Sequence, residues 1–183
     1  MPADLPINYA DESAIADPRM RAEIDRARRE GTPRPESHLI RAHVPAVFWS
    51  FADTWETVFR NGVVDHSIKE LCRVYVSKLV NCTYCGNQRS VRAAGAGVIE
   101  EDYRQLMNYE RSGRYDERQK AALSMAEAIA ADRDADEAFW ERLHRHFTDP
   151  ELVELGYFIG MTTGQQRFNR ILALDEHPVA AAR

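Results

Sequence analysis

The sequence predicts an all-α domain of about six to eight helices. Apolar residues recur every three or four positions through most of the chain, which is the spacing of an amphipathic helix. Strict alternation of apolar and polar residues, the mark of a half-buried strand, never extends over five residues between turn signals. Helix start signals such as Asp-Pro and stop signals such as glycine separate the periodic segments. A chain of 183 residues fits one domain with a core that needs no disulfide framework.

The composition excludes several classes of protein. The formal net charge of −5, with both signs interspersed, gives no electrostatic basis for binding nucleic acid or an anionic membrane. Three cysteines are too few for a disulfide-rich secreted protein, and the N-terminal residues lack a basic segment followed by an apolar one. We therefore expect a soluble cytoplasmic protein whose partners are small molecules and other proteins, with no nucleic acid and no membrane.

The first third of the chain reads as an arm followed by helices. Residues 1 to about 16 have no sustained period and predict an arm or tail. Asp17-Pro18 and Gly31 bracket a very polar helix that is either solvated or covers another subunit. Prolines mark residues 32–35 as a linker, and a short helical piece begins at Ser37.

The remaining helices follow from their periodicity. Predicted helices are an aromatic one from Pro45 to Gly62, one over 65–80, one from Cys82 towards Gly95, and others over 98–109, 116–131, 139–147 and from Asp149 onward. Asn81 either ends the second of these in a left-handed conformation or caps the third. Gly160 and Gly164 indicate a close helix crossing or a kink.

The chemistry of the chain centres on Cys82-Thr83-Tyr84-Cys85. Two cysteines at this spacing can close a small disulfide, and the first turn of a helix favours the thiolate, which attacks peroxides and disulfides. A zinc site is the rival interpretation, with Cys72 and His66 as the further ligands, and a simply buried pair is another. Redox chemistry is the leading interpretation, with no metal and no cofactor expected.

Glu70, twelve positions before Cys82-Thr83-Tyr84-Cys85, follows the aromatic helix that Pro45 opens, and Gly95-Ala96-Gly97 comes after the cysteines. This pattern resembles the carboxymuconolactone decarboxylase and alkylhydroperoxidase D superfamily. The likeness extends over about residues 38 to 175 and includes Asn169-Arg170.

The resemblance implies an alkylhydroperoxidase D-like helical domain at 37–176, preceded by the arm and polar helix at 1–36 and followed by a tail at 177–183. It implies assembly as a homo-oligomer, a trimer or a hexamer. In the redox branch it implies a Cys pair that reduces hydroperoxides and is re-reduced by a protein thiol. By this resemblance Cys82 and Cys85 are the redox pair, and Glu70 is the proton-relay carboxylate.

The sequence departs from the family at two places where redox members carry histidine. Here they hold Tyr84 and Arg89. Arg89 stays protonated, so it can stabilise a thiolate or bind an anionic substrate but cannot shuttle a proton. Tyr84 can donate a hydrogen bond to a peroxide oxygen or a thiolate but is a poor base at neutral pH. With His66 as further support, proton transfer would rely on Glu70, and weak or altered activity is expected.

Each candidate also has a structural alternative. Glu70 could complete a capping box with Ser67, Tyr84 could be an ordinary half-buried aromatic residue, and Arg89 could pair with an acid on a neighbouring helix. His66 could simply start its helix, and Cys72 could belong to the core.

A proton relay from Glu70 also has a geometric condition. Twelve positions on one unbroken helix would separate Glu70 from Cys82 by roughly 18 Å. The relay therefore requires the chain to turn back near Asn81, or another segment or subunit to close the gap.

Three functions remain. The first is a thiol-dependent peroxidase or thiol-disulfide oxidoreductase. The second is a non-redox enzyme of the decarboxylase branch, acting on a lactone or a small carboxylate that Arg89 would bind. The third is a non-catalytic helical oligomer.

Overall fold

The computed structural model describes residues 5 to 178, which are helical with no strand among them. The fold class predicted from the sequence is therefore confirmed. The helices are α1 (Pro18–Glu30), α2 (Pro35–Arg41), α3 (Pro45–Thr54), α4 (His66–Leu79), α5 (Thr83–Gly86), α6 (Val91–Gly95), α7 (Glu100–Gln105), α8 (Glu117–Ala131), α9 (Glu137–His144) and α10 (Asp149–Ile171). Short 3₁₀ turns lie at Glu12–Ala14 and Leu106–Asn108, and a π-helical segment at Trp55–Arg60 extends α3.

The core forms where α4, α8 and α10 pack together. Helix α4 is buried over most of its length because its apolar residues cover more than one face. Gly156 marks the close approach of α10 to α8, since a Cβ at this glycine would lie 3.0 Å from the Met125 methyl group. No helix of the described part of the chain is long and apolar enough to cross a membrane.

The polar helix α1 is not a solvated arm. Asp17 caps it and Gly31 ends it at a positive φ of 71°, as predicted. Its thin apolar stripe is nevertheless buried in a second cluster, formed by Ile15, Met20, Ile24, Leu39, Phe48 and Ala52. Much of its charge is neutralised within the helix, where Arg26 pairs with both Glu23 and Glu30. The helix therefore covers the chain's own α2 and α3.

The N-terminal arm also packs on the domain. The Ala10 amide donates to the Leu39 carbonyl at 3.2 Å, and the Tyr9 hydroxyl donates to the His177 carbonyl at 2.5 Å. Residues 1–4 of the arm and residues 179–183 of the expected tail lie outside the described part of the chain.

Gly160 and Gly164 make no close helix crossing within the described part of the chain. A Cβ at either glycine would meet nothing within 4 Å. Both glycines lie on an exposed face of α10, together with Val153, Tyr157, Phe168 and Ile171. At 100° per residue these six positions fall within about 80° of arc, so they form one stripe along the helix.

Candidate active site

The two cysteines of the sequence motif form a disulfide, with their Cα atoms 5.3 Å apart. The chain ends α4 at Leu79 and turns at Asn81, whose φ is 55°. Cys82 then occupies the N-cap position of α5, and its amide donates to the Ser77 carbonyl at 2.9 Å. The turn back at Asn81, which a contact between Glu70 and the cysteines requires, is therefore present.

A buried ion pair lies under this turn. Arg73 donates from Nε and Nη2 to the two carboxylate oxygens of Glu70 at 2.7 and 2.8 Å. Both residues are almost fully buried. Arg73 also donates from Nη1 to the Cys85 carbonyl at 2.8 Å and from Nη2 to the Gln88 carbonyl at 2.9 Å. The pair therefore fixes the backbone on the C-terminal side of the disulfide.

The same ion pair explains why one predicted helix is two. The sequence predicted a continuous helix from Cys82 towards Gly95, but α5 ends at Gly86 and α6 begins at Val91. In an unbroken helix the amide of residue 90 would donate to the carbonyl of residue 86. Here the Ser90 amide donates to Glu70 Oε1 at 3.0 Å instead, and Ser90 caps α6. Glu70 and Arg73 thus take backbone partners that a continuous helix would have used.

Glu70 does not form the capping box considered from the sequence. Helix α4 begins at His66 with Asp65 at the N-cap position, and no side chain caps it. The Glu70 oxygens instead accept from Arg73, from the Ser90 amide and, at 3.5 Å, from the Tyr103 hydroxyl. Glu70 reaches the cysteine turn through Arg73, and its role as a proton relay stays a prediction.

His66 belongs to the same network. Its Nδ1 lies 3.0 Å from the Phe59 carbonyl, which can only accept, so this nitrogen carries the proton. Nε2 lies 2.7 Å from the Ser90 hydroxyl, and this hydroxyl is therefore the donor when the ring is neutral. Burial lowers the pKa of His66. Neutral His66 thus orients Ser90, whose amide holds Glu70.

Tyr84 is buried and its hydroxyl contacts the α2 segment. The hydroxyl accepts from the Ser37 amide at 3.3 Å and donates to Glu36 Oε2 at 3.2 Å. Burial raises the pKa of Tyr84, and the nearby Glu36 carboxylate adds to the effect. These contacts fit a structural role that ties α5 to α2.

Arg89 lies on the outer side of the disulfide. Its guanidinium pairs with Glu100 at 2.7 Å and stacks over the Tyr103 ring, with 4.2 Å from Cζ to the ring centroid. This arrangement is the ion pair to a neighbouring helix that the sequence left open as an alternative. Arg89 and Cys82 both line a shallow surface groove, which also contains Asn87 and Lys78.

Cys85 lines a different space. A small inner cavity of about 30 Å³ lies between α2, α4, α5 and α10, and Cys85 forms part of its wall. Asn169 of α10 lines the same cavity, and its Nδ2 lies 3.8 Å from the Cys85 sulfur. The disulfide therefore separates an inner cavity on the Cys85 side from an outer groove on the Cys82 side.

The structure does not bring Cys72 and His66 together with Cys82 and Cys85 as a zinc site would require. Cys72 is a free thiol in the core, where burial raises its pKa. The described residues contain no group of three or more His, Cys, Asp or Glu side chains arranged to hold a metal ion.

Comparison with known proteins identifies the fold. No protein-family model and no curated protein matches the sequence. A solved variant of the debrominase Bmp8 in complex with 2,3,4-tribromopyrrole is 17% identical over 91% of this chain and 89% of that chain, with a TM-score of 0.77. A peroxidase-related protein from Silicibacter sp. is 17% identical over 94% of both chains, with a TM-score of 0.72.

A third structure carries the same architecture. It is the alkylhydroperoxidase AhpD core of a peroxidase-related protein from Ralstonia eutropha, 24% identical over 94% of this chain and 91% of that chain, with a TM-score of 0.66. Identities this low establish a shared fold and leave the reaction of this chain to be argued from its own residues.

Proposed function

Because the chain has the helical fold of the alkylhydroperoxidase D and carboxymuconolactone decarboxylase superfamily, we propose that it is a thiol-dependent peroxidase or thiol-disulfide oxidoreductase that uses Cys82 and Cys85. The observation that carries the proposal is the Cys82–Cys85 disulfide, which separates an inner cavity from an outer groove. A pair placed in this way can meet a small oxidant on one side and a protein thiol on the other.

Cys85 is the cysteine that attacks the hydroperoxide in this proposal. Its thiolate displaces RO⁻ from ROOH and becomes a sulfenic acid. The Cys82 thiol then attacks this sulfenic acid, releases water and closes the disulfide. The inner cavity supports this order because it admits only small groups, and because Asn169 Nδ2 lies within reach of the Cys85 sulfur.

Cys82 faces the reductant. Two thiols of a protein donor reduce the disulfide, with attack at Cys82 forming the mixed disulfide. The outer groove supports this assignment because Cys82 lines it, and because Cys82 is only 2% exposed, the donor thiol has to reach the sulfur through this groove. A proton relay from Glu70 would have to pass through Arg73 or Tyr103, whose side chains contact its oxygens.

Thiol titration tests the proposal directly. The reduced, unfolded protein has three thiols, from Cys72, Cys82 and Cys85. After one equivalent of an organic hydroperoxide is added to the reduced, folded protein, we expect one thiol to remain, that of Cys72. Cys72→Ala is the matched control and should fall from two thiols to none. Retention of all three wild-type thiols would refute the redox proposal.

The non-redox alternative keeps one supporting observation, the structural similarity to a debrominase solved with a bromopyrrole. In that alternative the chain acts on a small carboxylate or lactone, and the cysteines are incidental. Turnover retained by the Cys82→Ser, Cys85→Ser double variant would favour it. Arg89 is a weaker carboxylate ligand than the sequence implied, because Glu100 already pairs with it.

We also propose that the protein is a homo-oligomer in which the exposed stripe of α10 packs against a second copy. The stripe carries Val153, Tyr157, Phe168 and Ile171, with two glycines that allow close approach. Sedimentation equilibrium of Tyr157→Lys should give a lower mass than the wild type. An unchanged mass would place the interface elsewhere.

A further inference from the structure

The inner cavity beside Cys85 contains a buried cation that no carboxylate of the described residues neutralises. Arg41 of α2 is 4% exposed and lines this cavity. Its guanidinium donates to the Ser37 carbonyl at 2.8 Å and to Gln165 Oε1 at 2.7 Å, and it stacks on Phe51 at 3.6 Å. Within residues 5–178 it forms no ion pair with Asp or Glu. A buried charge without a counter-ion is costly, so such a site attracts an anion.

Three buried polar atoms at this cavity have no hydrogen-bond partner in the part of the chain that the structure describes. They are Arg41 Nε, Thr162 Oγ1 and Gln166 Oε1, and all three residues line the cavity. Buried polar groups in proteins are rarely left unpaired, and a cluster of them at one space indicates a missing ligand or water. The set offers a cationic donor, a hydroxyl and an acceptor. A ligand that satisfies it carries an anionic oxygen and, in one form, an O–H group.

The size of the cavity limits this ligand. A volume of about 30 Å³ holds about two water molecules, so the part of a ligand that enters it has the size of a carboxylate or peroxide group. Burial lowers the pKa of Arg41 to about 10, which leaves the guanidinium protonated at neutral pH. The positive charge is therefore permanent under physiological conditions.

We propose that Arg41, Thr162 and Gln166 form a binding site for a small oxyanion beside Cys85, and that this site takes the carboxylate group of a substrate or product. On the proposed peroxidase function, it makes peroxycarboxylic acids the preferred hydroperoxides. The Cys85 thiolate attacks the terminal oxygen of RC(O)OOH, the O–O bond breaks, and the products are the sulfenic acid and RCOO⁻. Arg41 stabilises the carboxylate that leaves, while Gln166 Oε1 accepts a hydrogen bond from the terminal O–H before the bond breaks.

The binding part of the proposal can be tested without any redox reaction. The probe is sodium formate added to the oxidised wild-type protein, with the melting temperature as readout. At formate concentrations about ten times the dissociation constant, we expect the melting temperature to rise by about 3 to 6 °C. Sodium chloride at equal ionic strength is the control, because it has the same charge but no oxygen atoms to pair with the Arg41, Thr162 and Gln166 side chains. Equal shifts with both salts, or no shift with either, would overturn the site.

Variants connect the effect to Arg41. Arg41→Met removes the unneutralised charge, so without formate it should melt at the wild-type temperature or above it, and formate should have no specific effect. Arg41→Lys keeps a charge but not the fork of donors, so it should retain part of the response. Arg104→Met, which removes an exposed arginine on α7, is the matched control and should respond to formate like the wild type.

The substrate class is tested by the rate at which the reduced protein forms the disulfide. Arg41→Met should lower the rate with peracetic acid by about tenfold or more and the rate with tert-butyl hydroperoxide by much less. Equal losses with the two oxidants would overturn the substrate assignment. If the protein consumes neither oxidant but formate still stabilises it through Arg41, the peroxidase proposal fails while the oxyanion site stands.

Discussion

Removal of Arg73 should destabilise the protein more than removal of any exposed arginine, because the Glu70 carboxylate would stay buried and unpaired. Arg73→Met deletes both hydrogen bonds to Glu70 and the donors to the Cys85 and Gln88 carbonyls. Loss of one partner from a buried ion pair costs about 3 to 5 kcal/mol. The carbonyls add less, since the Cys85 carbonyl keeps the Gln88 amide and the Gln88 carbonyl keeps Arg89.

The total expected loss is therefore about 4 kcal/mol in the free energy of unfolding. A protein of this size loses about 2 to 4 °C in melting temperature per kcal/mol, so the variant should melt about 8 to 16 °C below the wild type. Arg104→Met is again the matched control. Its pair with Glu101 is exposed, and its removal should change the free energy of unfolding by less than about 0.5 kcal/mol.

A double-mutant cycle separates the pair from its surroundings. Glu70→Gln should also destabilise, because it leaves the Arg73 guanidinium buried without a counter-ion. The Glu70→Gln, Arg73→Met double variant should lose about 2 to 3 kcal/mol less than the sum of the single losses. Urea unfolding of the four oxidised proteins measures these quantities. A single-variant loss below about 1 kcal/mol, or strictly additive losses, would show that the pair does not hold the cysteine turn.

Three further results are expected. Asn169→Asp should slow alkylation of reduced Cys85 by iodoacetamide at pH 7 about tenfold, because a carboxylate 3.8 Å from this sulfur would raise the pKa of the thiol; an unchanged rate would show that residue 169 does not lie beside the sulfur in the reduced protein. Tyr84→Phe should cost about 1 to 2 kcal/mol of stability by urea unfolding while leaving the alkylation rate within about twofold, and a large loss of rate alone would restore a catalytic role for the hydroxyl. The Thr148 amide and then Arg118 lower the pKa of Glu151 to about 2, so its contribution to stability is complete above pH 4.5 and is lost as the pH falls towards 2; Glu151→Gln should melt lower at pH 7 and lose less stability than the wild type over that range.

Local signals in the sequence predicted the helices well where the cause of each boundary is local. Asp17-Pro18 and Gly31 bound α1, and Asn81 ends the turn after α4 with a positive φ. These outcomes depend on the conformational preferences of single residues and their neighbours. The break between α5 and α6 has a different origin, because it depends on a buried ion pair from α4. The residues of segment 82–95 give no signal of the Glu70–Arg73 pair, so the break could not be predicted from them.

The residues of the candidate site also differ in whether the sequence could predict them. The Cys-x-x-Cys spacing and its place at a helix start were readable, since both are local. Arg73 lies three positions after Glu70, and this i, i+3 spacing on a helix could have identified it as the partner of Glu70. Arg41 and Asn169 could not have been found from spacing, because they lie on α2 and α10 and meet Cys85 only through tertiary packing.

Tyr84 and Arg89, which stand where the family pattern has histidine, can be related to Arg41. Neither Tyr84 nor Arg89 lines the inner cavity, so neither side chain contacts a ligand bound there. Tyr84 instead binds the Ser37 amide at the start of α2, the helix that carries Arg41 to the cavity. The tyrosine thus helps to hold a permanent cation beside Cys85. A cation stabilises an anionic leaving group but transfers no proton, so this arrangement favours oxidants whose leaving groups are already weak bases.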